Sequence, residues 1–390
     1  MWKICAYQPR EVRYLRPMAF RVRVEALREA LGRVLPTVPS RSLYPITQNI
    51  LLHQMGDTLE IRATDLEVSI RTVLNVVPEE GDAVSLALPP KPLMDLLKGF
   101  GDDEVISATQ RDTFLQLSSA YGNYEFGGLP SEEFPAFPKV EEGGGVLFSI
   151  ELLEEVISQT AFAAGKDDAR LSLTGIYFDF TETHANFVAT DAHTLVRLKR
   201  EDMRLSYAPK LLLPVRALQS LQQALRGFPA GDTLTLYPAE GQALFHHPML
   251  DMVCRLIDAR YPDYQSVIPQ KPPYTARIST DAFKRALRRL MVLSDRTSNL
   301  IRMSFEGNTL TLSAEDPMQN RSGRETLPCE YEGPDFKIAF RGSVIGGVVD
   351  HIASAEFILR MEAPGRAVVI EPDPQVPPSE ALFLAMPLIM

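Results

Sequence analysis

The sequence is poor in the features that mark disulfide-bonded, secreted or membrane-spanning proteins. It contains three cysteines, Cys5, Cys254 and Cys329, whose odd number and wide spacing predict a reducing compartment and no disulfide framework. No segment approaches the roughly 18 uninterrupted apolar residues of a membrane-spanning helix. Residues 1–16 mix acidic and basic side chains instead of forming an apolar core, so we expect no secretory signal. These absences predict a cytoplasmic protein without a membrane partner.

The signatures of several common enzyme classes are also missing. The chain has no phosphate-binding Gly-x-x-x-x-Gly-Lys, no dinucleotide-binding Gly-x-Gly-x-x-Gly and no zinc-binding His-Glu-x-x-His. His246 and His247 are adjacent rather than spaced as metal ligands, and beside Pro248 they predict a turn. We therefore predict no catalysis, no cofactor and no metal.

The formal net charge of −10 argues against a nucleic-acid partner unless positive charge is concentrated on one surface. One predicted helix provides such a concentration. It carries Lys284, Arg285, Arg288 and Arg289 at i,i+4 spacing, opposed within the helix by Asp281 alone. This pattern suggests a surface that faces phosphates, and an ordinary solvated helix face is the alternative.

Three stretches of the chain are versions of one another. They are residues 49–65, 175–191 and 300–316. Each contains two short alternating strands around a turn and closes on an aspartate. A spacing of about a third of the chain corresponds to a whole small domain, so the pattern predicts one fold used three times in tandem. Asp65, Asp191 and Asp316 then lie in separate domains, and we interpret them as acceptors for local backbone donors rather than as a catalytic carboxylate pair.

Each third predicts the same order of elements, with one amphipathic helix before the repeated strands and a second helix half-way. The predicted helices are residues 24–35, 88–100, 150–163, 213–228, 281–290 and 341–352. Ser149 and Thr280 are predicted N-caps. Because alternating strands follow every helix, each domain is predicted to contain two β-α-β-β-β halves of the α+β class rather than a doubly wound sheet.

Composition breaks at residues 141–145 and 269–273 separate the repeats. The predicted domains are residues 18–145, 146–270 and 271–390. Residues 1–17 lie outside the repeat, as an N-terminal extension or as the product of a start codon placed too early.

Five short motifs lie in order along this threefold repeat. They are Ala63-Thr64-Asp65-Leu66-Glu67, Gly128-Leu129-Pro130 with Phe134-Pro135, Val188-Ala189-Thr190-Asp191-Ala192-His193, Arg260-Tyr261-Pro262-Asp263-Tyr264 and Met386-Pro387. On these motifs the chain from residue 18 to its end resembles the bacterial sliding clamps, the beta subunits of DNA polymerase III. The resemblance implies the DNA-clamp fold and a head-to-tail homodimeric ring around duplex DNA. It also implies a processivity factor that tethers the replicative polymerase without catalysis. Two other interpretations stay open: a protein scaffold that never meets DNA, and a repeat-built enzyme that binds a ligand or glycan.

The resemblance also implies where DNA is contacted, without regard to base sequence. Besides the four basic residues already named, the expected contacts are Arg41, Lys91, Lys98, Lys166, Arg170 and Arg216. Ring closure is expected at Tyr124 and Phe126 on a strand edge of the first domain, against Val292 and Leu293 of the third.

A pocket for short linear peptides of polymerases, the clamp loader and repair proteins is a further implication. Its expected residues are Leu173, Thr190, His193, Leu195, Pro262, Val267, Leu384, Met386, Pro387 and Leu388. Largely apolar walls with an adaptable methionine suit a site for several related peptides. The chain departs from the family where Ala192-His193-Thr194 replaces the common Gly-His-Arg and where Ser266 replaces an arginine. Peptide preference is expected to differ accordingly.

Overall fold

The computed structural model describes residues 18–141, 143–205, 207–229 and 231–389. The predicted extension, residues 1–17, and the cysteine within it lie outside the described residues. Cys254 and Cys329 are free and buried, and burial raises the pKa of the Cys254 thiol to about 12. Within the described part of the chain, every helix is too short or too polar to cross a membrane.

All six predicted helices are present. They are α1 Val24–Val34, α2 Pro90–Leu97, α3 Ile150–Thr160, α4 Val215–Ala224, α5 Thr280–Met291 and α6 Gly342–Asp350. The predicted cap of α3 is confirmed, because Ser149 Oγ accepts a hydrogen bond from the Leu152 amide at 3.1 Å. The predicted cap of α5 is wrong. Ser279 holds the cap position, and Thr280 is already helical and buried, with its amide bonded to the Ala355 carbonyl at 2.9 Å.

The strands follow the same order in each third of the chain. In the first third they are β1 Met18–Arg23, β2 Ile50–Met55, β3 Thr58–Thr64, β4 Val68–Asn75, β5 Val77–Glu80, β6 Ser85–Leu88, β7 Val105–Arg111, β8 Phe114–Ser118, β9 Asn123–Gly127 and β10 Leu129–Pro130. In the second they are β11 Val146–Ser149, β12 Gly175–Phe180, β13 Ala185–Thr190, β14 Thr194–Arg200, β15 Lys210–Pro214, β16 Thr233–Ala239, β17 Gln242–His247 and β18 Leu250–Arg255. In the last they are β19 Tyr274–Ser279, β20 Leu300–Glu306, β21 Thr309–Asp316, β22 Arg321–Pro328, β23 Glu330–Glu332, β24 Phe336–Arg341, β25 Glu356–Met361, β26 Val368–Asp373 and β27 Ser379–Ala385.

This order confirms six β-α-β-β-β units and the α+β class, since each helix follows one strand and precedes at least three. The sequence missed the short strands β5, β10 and β23. The predicted turn at His246 and His247 is wrong, because both residues complete β17 and the turn comes at Pro248 and Met249. His246 Nδ1 instead lies 2.6 Å from Asp251 Oδ1 on the next strand.

One compact unit consists of residues 18–141 with 223–228 and 244–254. It contains a five-stranded sheet in the order β5-β1-β7-β8-β9, and a second sheet that includes β10-β6-β2-β3-β4-β18. β9 is therefore an outermost strand. A charged cluster braces the second sheet, where Arg71 of β4 lies 3.6 Å from the buried Glu60 and 2.7 Å from Asp251.

The other described residues form a second unit. Its main sheet has nine strands in the order β15-β12-β13-β14-β27-β26-β25-β19-β23, and a separate sheet has the order β22-β21-β20-β24. The nine-stranded sheet joins the middle third of the chain to its end through antiparallel pairing of β14 with β27. Phe148, Phe178, Phe180 and Phe187 pack edge-on and tilted beneath it as a buried aromatic core. This unit carries the groove described next.

Candidate peptide groove and basic helix surface

The groove lies over the seam where β14 pairs with β27. In this register Leu195 lies opposite Leu384, and both side chains are buried in one apolar cluster with Tyr261 and Tyr264. Strand alternation sends every second side chain of β14 to this same face. The seam therefore provides an apolar floor built from two distant parts of the sequence.

A tight turn between β13 and β14 forms one wall. Asp191 Oδ1 accepts hydrogen bonds from the amides of His193 at 2.9 Å and Thr194 at 2.7 Å, and Thr190 Oγ1 accepts one from Ala192 at 3.0 Å. The His193 carbonyl in turn accepts the Met386 amide at 2.8 Å, which fixes the chain end beside the turn. The groove wall is therefore held by side-chain-to-backbone bonds.

The aspartate interpretation is confirmed at all three repeats. Asp65 Oδ1 accepts from the amides of Glu67 at 3.1 Å and Val68 at 2.7 Å, as Asp191 does in its own turn. Asp316 Oδ1 accepts from the Gln319 amide at 3.2 Å. These carboxylates satisfy local backbone donors at strand ends.

The Arg260-to-Tyr264 motif forms the opposite wall and is anchored from below. Tyr261 stacks on Tyr177 with ring centroids 4.6 Å apart and donates to the Val188 carbonyl at 3.3 Å. Tyr264 donates to Asp179 Oδ2 at 2.7 Å. Burial raises the pKa of both motif tyrosines, so their hydroxyls stay protonated donors. The two anchored rings hold Pro262 and the residues after it at the groove edge.

The resulting cavity has a volume of about 670 Å³, within the usual range of ligand sites. Eight of the ten predicted residues line it: Leu173, Thr190, His193, Leu195, Pro262, Val267, Leu384 and Met386. Pro387 and Leu388 follow Met386 but lie outside the lining, and the Leu388 amide bonds the Ala339 carbonyl at 2.8 Å. Val267 is 54% exposed, so its apolar side chain contributes accessible surface to the groove.

Part of the lining was not predicted. The β25–β26 turn contributes Glu362, Gly365, Arg366 and Ala367. The sequence there reads as an ordinary Pro-Gly turn, and nothing in it indicates which surface it approaches. Long-range strand pairing alone brings this turn to the groove.

The departures from the family have clear local consequences. Ala192 has a φ of +75°, in the left-handed region that favours glycine, so alanine keeps the turn at a cost of about 1 kcal/mol. Ser266 folds back on its own loop, where its hydroxyl donates to the Asp263 carbonyl at 2.8 Å. Ser266 therefore adds no cation, and the guanidinium that lines the groove comes from Arg366 instead.

The basic residues of α5 divide into two pairs. Lys284 and Arg288 face the groove between α5 and α6, where Lys284 Nζ donates to the Ile352 carbonyl at 3.1 Å and Arg288 lies 3.2 Å from Asp350 Oδ1. Both side chains still reach solvent, and Arg288 is 70% exposed. This pair forms one half of a basic surface.

The second pair points toward other carboxylates. Arg285 pairs with Asp281, and Arg289 holds Glu325 of β22 through hydrogen bonds of 2.8 and 2.6 Å. That bidentate contact raises the pKa of Arg289 and lowers the pKa of Glu325. Asp281 is the one acidic residue within α5, as expected, and Asp350 and Glu325 add carboxylates from α6 and β22.

The remaining predicted DNA contacts lie on several elements. Lys91 and Lys98 share Asp95 of α2 at 2.8 and 3.2 Å. Arg216 lies on α4, and Arg41 is exposed between α1 and β2. Lys166 and Arg170 are exposed beside the peptide groove, in a cavity that they line together with Leu173 and His193. Their role in binding DNA stays a prediction.

Of the four residues predicted for ring closure, two lie on an edge strand and two follow α5. Tyr124 and Phe126 are half-buried on the outermost strand β9, and Tyr124 packs edge-on against Phe100 at 5.7 Å. In the second unit Val292 is 71% exposed after α5, and Leu293 lies beneath Gly323 of the edge strand β22, where an added Cβ would clash with it. The interface itself stays a prediction.

Six β-α-β-β-β units in one chain, with a peptide-sized groove on the main sheet, define the class of DNA clamps. The profile of the DNA polymerase III beta subunit matches in three parts, with its N-terminal domain at residues 18–138, its central domain at 148–263 and its C-terminal domain at 265–386. The chain belongs to this family.

Individual relatives agree along nearly the whole length. The beta sliding clamp of Synechococcus elongatus is 29% identical over 374 residues, covering 94% of this chain and 98% of the relative. That of Pseudomonas aeruginosa is 28% identical over 385 residues, covering 95% and 100%. Among solved structures, the Bacillus subtilis DNA polymerase sliding clamp superposes with a TM-score of 0.89 at 22% identity, covering 96% of this chain and all of that one.

Replacing the aspartate of the groove turn tests how the wall is held. In Asp191→Ala we expect amide hydrogen exchange at His193 and Thr194 to accelerate by roughly tenfold, because two hydrogen bonds to a carboxylate are lost. Asp65→Ala is the matched control, since it removes the same turn in the first repeat and should leave those two amides unchanged. Equal exchange in wild type and Asp191→Ala would show that the carboxylate does not hold the wall.

Proposed function

We propose that this chain is a sliding clamp that encircles duplex DNA and tethers the replicative polymerase, giving it processivity without catalysis. The observation that carries the proposal is the sixfold β-α-β-β-β order, which matches the beta subunit family in all three of its parts. A scaffold or a ligand-binding enzyme would not require this repetition. We also propose three clamp domains at residues 18–145, 146–270 and 271–390, which the three family matches support, and a cytoplasmic location, which suits a role on bacterial DNA.

Ring closure by two copies head to tail is the second element of the proposal. It is supported by the half-buried Tyr124 and Phe126 on the edge strand β9, and by the exposed Val292 and the half-buried Leu293 after α5, where Leu293 lies beneath the edge strand β22. An edge strand presents unpaired backbone donors and acceptors, so it favours pairing with another edge. Because the two edges differ, the contact is heterologous, and it forms a closed ring only if the rotation completes a circle.

Sequence-independent DNA contact through the basic residues is the third element. Most cations of α2 and α5 already have carboxylate or carbonyl partners, yet they remain largely exposed. Exposed ion pairs contribute little, so these cationic groups can exchange a carboxylate for a phosphate at small cost. Weak, non-specific attraction of this kind suits a protein that slides.

Capture of short linear peptides in the groove is the fourth element. The polymerase, the clamp loader and repair proteins are the proposed sources of these peptides. The groove is apolar along the seam of β14 and β27 and bordered by the charges of Glu362 and Arg366, which suits an extended segment with apolar side chains. The exposed Val267 and Met386 would be covered by such a segment.

Primer extension tests the function as a whole. With the cognate polymerase and loader on primed circular single strands, and a trap for released polymerase, we expect the chain to lengthen products per binding event by at least roughly tenfold. Val267→Asp should abolish most of this gain because it places a charge in the apolar groove. Val376→Asp, an exposed valine outside the groove, should retain it. Unchanged product length with wild-type chain would refute the proposal.

Oligomeric mass tests the proposed ring contact. Val292→Asp should convert the dimer largely to monomer by sedimentation, because it buries a carboxylate in an apolar contact. Val376→Asp changes an equally exposed valine, 73% against 71%, and should remain dimeric. A dimer that tolerates Val292→Asp as well as the control would place the interface elsewhere.

Short-duplex binding tests the surface of α5. Lys284→Gln with Arg288→Gln should raise the Kd for short duplex DNA at low salt by roughly threefold to tenfold and lower the salt slope by about one to two. Lys271→Gln with Lys337→Gln removes the same charge from exposed positions off this helix and is the control. Identical salt slopes in both double variants would exclude Lys284 and Arg288 from the DNA contact.

A further inference from the structure

A second cavity adjoins the peptide groove. Its volume is about 350 Å³, and it shares Ile268 and Pro269 with the groove, so both cavities border this short segment. The groove is mostly apolar, whereas the lining of the second cavity includes Arg197, Arg360 and Glu371. We name this space the arginine annex.

Arg197 is placed on the annex by the same strand that forms the groove floor. It lies two residues after Leu195 on β14, and strand alternation puts both side chains on one face about 7 Å apart. The register agrees, since Leu195 pairs with Leu384 in the groove and Arg197 pairs with Leu382 in the annex. An extended peptide on the groove floor would therefore have a residue near Arg197.

Arg197 Nε lacks, within the described residues, the kind of partner that the neighbouring charged side chains have. Its Nε is buried, and among the described residues it has no hydrogen-bond partner. Across the annex Arg360 Nε lies 2.9 Å from Glu371 Oε2, and further along β14 Lys199 Nζ lies 2.7 Å from Glu201 Oε1. A buried donor without an acceptor is unfavourable, so a carboxylate that a ligand brings into the annex would compensate Arg197.

We propose that Arg197 binds the carboxylate of an aspartate or glutamate in the partner peptide, one or two residues from the apolar side chain that occupies the groove. This proposal rests on the proposed function and adds an acidic position to the peptides that the chain selects. A planar guanidinium can hold a carboxylate through two parallel hydrogen bonds, which gives direction as well as attraction. The annex thereby fixes the register of the peptide along the seam.

The test is a comparison of peptides and variants by fluorescence anisotropy. The probes are labelled decapeptides with two central leucines, in which one glutamate is scanned through the flanking positions and glutamine replaces it in matched peptides. With the wild-type chain, glutamate at one flanking register should lower the Kd roughly tenfold relative to glutamine. Arg197→Met keeps the aliphatic stem and should abolish that preference while changing the Kd of the glutamine peptide less than about twofold.

Lys199→Gln is the matched control, because it removes a positive charge from the same strand and face but from a residue already paired. It should preserve the glutamate preference. If the ratio of the Kd values of the glutamate and glutamine peptides is the same for wild type and Arg197→Met, the role of Arg197 is overturned. The groove as the peptide site would be unaffected by that result. Failure of every leucine peptide to bind wild type, while a primer-extension gain persists, would overturn the groove as the peptide site and this inference with it.

Discussion

The antiparallel pairing of β14 with β27 is the interaction on which the functional surface depends. Seven residues from Thr194 to Arg200 pair with seven from Ser379 to Ala385, and this ladder merges strands of the middle and last thirds of the chain into one sheet. Backbone hydrogen bonds fix the register, and a slip of one residue would turn Leu195 and Leu384 away from the groove. The floor of the groove and the position of Arg197 therefore follow from one ladder.

The basic side chains of α5 are paired with acidic or carbonyl groups close to them. Each basic residue of α5 has a carboxylate or carbonyl within hydrogen-bonding distance, and Asp350 and Glu325 reach the helix from other elements. A net charge of −10 is thus compatible with a DNA partner, because exposed guanidinium groups can change partners locally. Tight, localised phosphate binding would hinder sliding, whereas an already neutralised surface attracts phosphates only weakly.

Much of the fold could be predicted because hydrophobic periodicity and turn residues are local properties of the sequence. Helical periodicity located all six helices, and a turn glycine such as Gly56, with a φ of +65°, marked a hairpin. The role of Asp191 as an acceptor for nearby backbone amides was predictable for the same reason. The errors arose where tertiary contacts determine the local structure. Thr280 has the residue type of an N-cap, but its amide bonds to the Ala355 carbonyl and the residue is helical. His246 was expected in a turn because Pro248 follows, but it belongs to β17.

The groove was partly predictable for the same reason. Its motif residues, such as Pro262 and Met386, are recognisable in the sequence, whereas Arg366 and Arg197 reach the site only through strand pairing over long sequence separations. The ion-pair partners of charged side chains are also brought together by tertiary structure, as the pairing of Arg289 on α5 with Glu325 on β22 shows. A single sequence contains no local signal for such contacts.

The central claim is a topological link between a protein ring and DNA. The most direct measurement is to load the chain onto a nicked circular plasmid with its cognate loader and ATP, linearise half of the sample, and quantify the protein retained. The account predicts retention on circles and loss from linear molecules, because a ring slides off a free end. Equal retention on both forms would mean ordinary binding and would contradict the ring.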